Sequence, residues 1–76
     1  MDIQITDPVE FGEAVKLARK KIAGLGQVES ARLLGVSPPV MNKLEQGKEV
    51  WLSKAIDICN GLGIEIILRV QGDLND

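Results

Sequence analysis

The chain has 76 residues, 45% of them apolar, with nine Lys and Arg against eleven Asp and Glu, no His and one Cys. One domain fits this length, burying only about 60% of the surface its unfolded form exposes, and a lone thiol without His excludes an intramolecular disulfide and a Cys/His zinc site. Oligomerisation is then the remaining source of extra stability. The common general base is missing and Cys59 sits in an apolar stretch, so no nucleophile–base pair, metal cluster or cofactor site is expected and an enzyme is the remotest reading.

Ile3 and Ile5 alternate with polar residues, which predicts a short strand within 1–7. The start is acidic rather than basic-then-apolar, unlike a signal peptide, and no run nears the roughly 18 apolar residues of a membrane span. The chain therefore reads as soluble and cytoplasmic. Asp7-Pro8-Val9-Glu10 supplies an N-cap, a proline for the first helical position and a glutamate placed for a capping box. Phe11, Ala14, Val15, Ala18 and Ile22 follow at helical spacing until Gly24-Leu25-Gly26 interrupts them.

Gln27 to Leu34 predicts a second short helix with Val28, Ala31 and Leu34 on one side, and Gly35 stands where a sharp turn needs positive φ. Ser37 caps the next helix, Pro38 and Pro39 fill its first turn, and Gly47 closes it. Trp51 to Leu62 predicts a further helix with two overlapping apolar stripes. Leu52, Ala55, Ile56 and Cys59 make one; Trp51, Ala55, Ile58 and Leu62 make the other. One stripe serves the core and the other is a candidate interface. Residues 63–70 then read as a strand with Ile64, Ile66, Leu68 and Val70 on one face, and 71–76 as a polar tail. A lone strand leaves its backbone unpaired, so it should pair with the Ile3/Ile5 segment, with its symmetry copy, or with both in a small sheet across a homodimer. The expected interface residues are Trp51, Ile58, Leu62, Ile64, Ile66 and Leu68, with Trp51 either an anchor or a lid on its own helix; Cys59 is expected to be a small buried hydrophobe.

The net charge of −2 conceals a division. Lys16, Arg19, Lys20, Lys21, Arg32, Lys43 and Lys48 face only Glu29 and Glu45 between residues 14 and 48, while both ends are acidic. A basic middle of this kind points to an anionic partner or to a solvated helix face.

The run from Leu25 to Lys48 carries the most specific signal. Its Leu25-Gly26-Gln27, Ala31, Leu34-Gly35-Val36-Ser37 and closing Glu45-Gln46-Gly47-Lys48 resemble the helix-turn-helix of the lambda-repressor-like, Cro-type (XRE) family. Gly12 to Lys20 resembles that family's first helix, and Leu62 to Leu68 resembles the Leu-Gly-strand ending of HipB-like antitoxins. The resemblance thus covers nearly the whole chain. It implies a mainly α bundle of four to five short helices within 8–62, a reading helix at about 38–46 and a dimerisation strand at 63–70. It also implies a homodimeric repressor on a palindromic operator in double-stranded DNA, acting as the antitoxin of a HipA-like kinase. A prophage repressor or restriction controller without a toxin, or a protein-interaction adaptor using the fold as scaffold, are the alternatives.

Residue roles follow from the motif. The second helix of such a unit lies in the major groove, which makes Ser37, Pro38, Pro39, Asn42 and Lys43 the base-reading candidates. Asn42 suits adenine and Lys43 suits guanine or phosphate. Gln27, Arg32 and Lys48 are the phosphate-binding candidates. Arg19 and Glu45 correspond to the family's structural arginine–glutamate pair, although a one-residue insertion around Ala23 leaves Lys20 as a second possible partner. Gly26 replaces the usual Thr or Ser cap. Pro38 and Pro39, which cannot donate hydrogen bonds, shift readout toward Asn42, Lys43, thymine methyl contact and DNA shape.

Overall fold

A computed structural model describes residues 1–72. The first helix, α1 (Pro8–Leu17), begins where Asp7 Oδ1 accepts from the Glu10 N–H at 2.8 Å and Pro8 supplies a residue with no N–H to satisfy. Glu10 does not close the box on Asp7. Its carboxylate instead accepts from the Thr6 N–H at 3.2 Å and from the Thr6 hydroxyl, one residue further out.

From Ala18 to Ala23 the helix continues as a π turn, which ends at Gly24 with φ 67°. A π turn closes on i+5 rather than i+4, so it accommodates one extra residue without breaking the axis. This π turn lies over the segment where a one-residue insertion is expected around Ala23. Ile22, spaced as though it belonged to the apolar stripe, is rotated outward by the wider turn and is 72% exposed.

Two short helices follow, α2 (Gln27–Leu33) and α3 (Pro38–Glu45), separated by a tight turn at Gly35 with φ 70°. The turn closes α2 with two bonds, Gly35 N–H to Arg32 O at 3.2 Å and Val36 N–H to Ala31 O at 3.0 Å. That is the 5→2 and 6→1 pairing of a Schellman cap, which needs a left-handed residue at its centre. Ser37 Oγ then accepts from Val40 N–H at 3.4 Å to start α3. The same cap pattern closes α3 through Gly47 and Lys48, and closes the last helix, α4 (Leu52–Gly61), through Gly63 and Ile64.

Val15, Ala31, Met41, Leu44, Ile58 and Cys59 form the centre of the core, joining all four α-helices. Fully burying a side chain such as Met41 or Ile58 contributes about 1.5–3 kcal/mol. Helix α1 approaches the end of α3 so closely that a Cβ on Gly12 would lie 2.5 Å from the carbonyl oxygens of both Leu44 and Glu45. Only hydrogen fits there.

Two expectations are corrected. Ile58 and Leu62, assigned to the interface stripe, lie inside the chain's own core, Ile58 with no exposure at all. The outward face of α4 is instead built from Trp51, Leu52 and Ile56, because Ala55, Ile58, Cys59 and Leu62 take the i, i+3, i+4, i+7 positions that face the core. Secondly, no paired strand occurs among the described residues, and the Ile3/Ile5 segment does not pair with the C-terminal one. A strand is made by its neighbour's hydrogen bonds, and the described residues bring no partner strand to residues 64–70. Ile64 still packs on the core, while Ile66, Ile67, Leu68 and Val70 remain exposed. The expected polar tail is described only at Gln71 and Gly72, both exposed, and its remainder lies outside the described residues.

Candidate nucleic-acid interface

Helix α3 has two distinct faces. Met41, Leu44 and Glu45 point inward and are buried. Pro39, Asn42, Lys43 and Gln46, spaced i, i+3, i+4 and i+7, make the opposite face, on which Asn42 alone is half-buried. Ser37 is exposed, with its hydroxyl oxygen engaged in capping, and Pro38 is half-buried in the first turn. The exposed base-reading candidates are therefore Ser37, Pro39 and Lys43, with Asn42 at the edge of the cleft between α3 and the π turn.

Behind this face lies a continuous polar relay. Arg19 donates from Nε to Glu45 Oε2 at 2.6 Å and from a terminal nitrogen to Glu45 Oε1 at 2.8 Å, with both residues buried. Its other terminal nitrogen donates to Leu25 O at 2.9 Å, tying down the loop before α2. Lys20 is exposed, so the guanidinium is the group that meets Glu45. Arg19, within the π turn, lies buried on its inner side. Its hydrogen bonds with Glu45 hold the guanidinium pKa above its already high ordinary value, against an opposing effect of burial.

The relay continues outward. Glu45 Oε1 also accepts from Gln27 Nε2 at 3.3 Å, and Gln27 Oε1 accepts from Asn42 Nδ2 at 3.2 Å. Gln27, the first residue of α2, is thus half-buried between Glu45 and Asn42 rather than free in solvent. Sequence spacing assigns Gln27 and Asn42 separate partners in DNA and does not join them. The signal that could have joined them is the motif's register, which sets the start of α2 across from the middle of α3. Lys16 and Lys20, i and i+4 on α1 and its π continuation, rim the same cleft as Gln27, Asn42 and Gln46. The motif reading did not count either among the phosphate-binding candidates, although their spacing marks a common face.

Arg32 on α2 and Lys48 after α3 are both exposed, and neither takes part in an ion pair among the described residues. Ser30 is fully buried and donates to Gln27 O at 3.0 Å, which satisfies its hydroxyl. Among the described residues no helix is long and apolar enough to cross a membrane.

No protein-family model matches the chain, and no curated protein sequence matches it. Solved structures do. A HipB variant in complex with an O2 20mer is similar over 95% of this chain and all of its own, with a TM-score of 0.80 at 22% identity. A HipA–HipB–O2–O3 complex contains a chain similar over 93% of this one and all of its own, with a TM-score of 0.79 at 22% identity. The chain of a HipB–O1–O2 complex is similar over 91% of this one and all of its own, with a TM-score of 0.79 at 23% identity. The four-helix unit with its Gly35 turn and its polar relay is built on the fold of HipB.

Proposed function

We propose that this chain is a sequence-specific DNA-binding repressor, acting as a homodimer on a palindromic operator, and the antitoxin of a HipBA-like toxin–antitoxin pair. The observation that carries this reading is the two-faced α3, whose inner side is locked into the core while Pro39, Lys43 and the edge of Asn42 remain open. A helix so presented can enter a major groove end-on, with Ser37, Pro38, Pro39, Asn42 and Lys43 toward base edges. Gln27, Arg32 and Lys48, joined by Lys16 and Lys20, take the phosphates. Such contacts orient the protein and make binding salt-dependent without reading sequence.

The likeness in fold to HipB chains solved in complexes with a 20mer and with HipA supports both partners, DNA and a HipA-like kinase. The uncovered apolar surface of Trp51, Leu52, Ile66, Ile67 and Leu68 supports a homodimer, since patches of this kind on so small a chain mark interaction sites. Residues 64–70 then pair with their copies across the two-fold axis.

Footprinting on the promoter of its own gene tests the reading. The expected result is a protected inverted repeat with half-site centres about one helical turn, roughly 10 bp, apart. A promoter without a protected palindrome contradicts it. Copurification with the product of the adjacent gene tests the toxin partner.

A further inference from the structure

The relay from Arg19 to Asn42 has a direction, because its members differ in what they can donate. A carboxylate has only acceptors, whereas a carboxamide has an acceptor oxygen on one side and a donor NH2 on the other. Glu45, held by two hydrogen bonds from Arg19, presents Oε1 to Gln27. Gln27 must therefore turn its Nε2 inward and its Oε1 outward. Asn42 must then turn its Nδ2 toward that oxygen, as it does at 3.2 Å.

One orientation of the Asn42 amide is thereby selected. Among the described residues its Oδ1 accepts no hydrogen bond, and beside that oxygen the planar amide keeps a second N–H. That is the complement of adenine in the major groove, where N6–H2 donates and N7 accepts. Lys43, one residue on, is exposed and has no such partner among the described residues.

We propose that Asn42 reads one adenine through an amide orientation imposed by Gln27 and Glu45, with Arg19, Glu45 and Gln27 as positioning residues for that specificity. The inference rests on the DNA-binding reading above and adds to it that specificity at one base pair is set by the polarity of the carboxylate behind the helix.

The probe is a pool of randomised duplexes enriched on the full chain, followed by affinity measurements on single-base substitutions of the enriched sequence. The wild-type chain is expected to prefer adenine at one position per half-site by about tenfold or more, the scale of one paired contact. Asn42→Ala abolishes the preference at that position. Gln27→Ala reduces it to about threefold or less while preferences elsewhere in the site persist, and Gln27→Ala with Asn42→Ala loses no more than Asn42→Ala alone. Glu45→Gln, whose amide can donate toward Gln27, relaxes the same position. If Glu45→Gln fails to fold by circular dichroism, the Gln27→Ala measurement alone decides.

A Gln27→Ala chain that keeps the adenine preference overturns the inference. Equal loss of preference at every position also overturns it. A wild-type chain that enriches no common sequence overturns instead the DNA-binding reading beneath it, so the two failures are distinguishable.

Discussion

Arg19 and Glu45 stand 26 residues apart in the chain and are joined by two hydrogen bonds of 2.6 and 2.8 Å in a site where both are buried. Removing one partner strands the other charge away from water, at a typical cost of 3–5 kcal/mol. A domain of this size has roughly 4–11 kcal/mol in total. Arg19→Ala should therefore lower the urea midpoint steeply or leave the chain unfolded. Replacing both partners by apolar residues, Arg19→Met with Glu45→Leu, should recover most of the loss, because no unpaired charge remains. A double variant as unstable as Arg19→Ala would contradict this account of the pair.

The contact between α1 and α3 makes a separate prediction. Gly12→Ala places a methyl 2.5 Å from two carbonyl oxygens, which are backbone and cannot rotate away. Overpacking of this kind costs about 1–3 kcal/mol or more. Gly61→Ala also meets an atom closely, but that atom is the end of the Leu34 side chain, which can move. Thermal denaturation should therefore show a larger fall in Tm for Gly12→Ala than for Gly61→Ala, and the reverse order would contradict the packing described.

Cys59 is fully buried, and burial pushes its thiol pKa up. For an acid whose folded pKa exceeds its unfolded one, the native state holds the proton more tightly. That contribution to stability is complete below the ordinary thiol value of about 8.5 and declines as pH rises through and above it. Labelling by a thiol reagent at pH 8 should accordingly proceed only as fast as the chain opens, and should accelerate in parallel with unfolding in urea. Immediate stoichiometric labelling of the native protein would contradict the burial.

The helix starts and the central turn were legible in the sequence, because Asp7-Pro8, Ser37-Pro38 and Gly35 act through local backbone chemistry that needs no distant partner. The faces of α4 were not. Trp51/Ile58/Leu62 and Leu52/Ile56/Cys59 are both helically spaced stripes, and the side that turns inward, Ala55, Ile58, Cys59 and Leu62, draws on both, as the packing of the other helices decides. The π turn at Ala18–Ala23 was not legible, since it leaves no mark in apolar periodicity beyond the misplaced Ile22. Among the site residues, Arg19 and Glu45 could be matched from the motif. The bond between Gln27 and Asn42 depends on how two helices cross, and spacing along one chain does not contain it.

Trp51 is 82% exposed and stands at the start of α4. A side chain so placed contributes little to the fold of one protomer, whereas buried aromatic anchors commonly dominate an interface. Trp51→Ala should leave the helical circular dichroism unchanged. In sedimentation equilibrium it should weaken the proposed homodimer by at least about tenfold, which is roughly 1.4 kcal/mol. Unchanged self-association would remove Trp51 from the interface and leave the contact to Ile66, Leu68 and their neighbours.

The central claim is that α3 lies in a major groove, and methylation interference on a duplex enriched from a randomised pool tests it most directly. Methyl groups placed on guanine N7 stand in the major groove, and those placed on adenine N3 stand in the minor groove. The account predicts that N7 methylation blocks binding at guanines in two half-sites related by a two-fold axis, with centres about one helical turn apart. Interference confined to adenine N3, or none at either position, would contradict it.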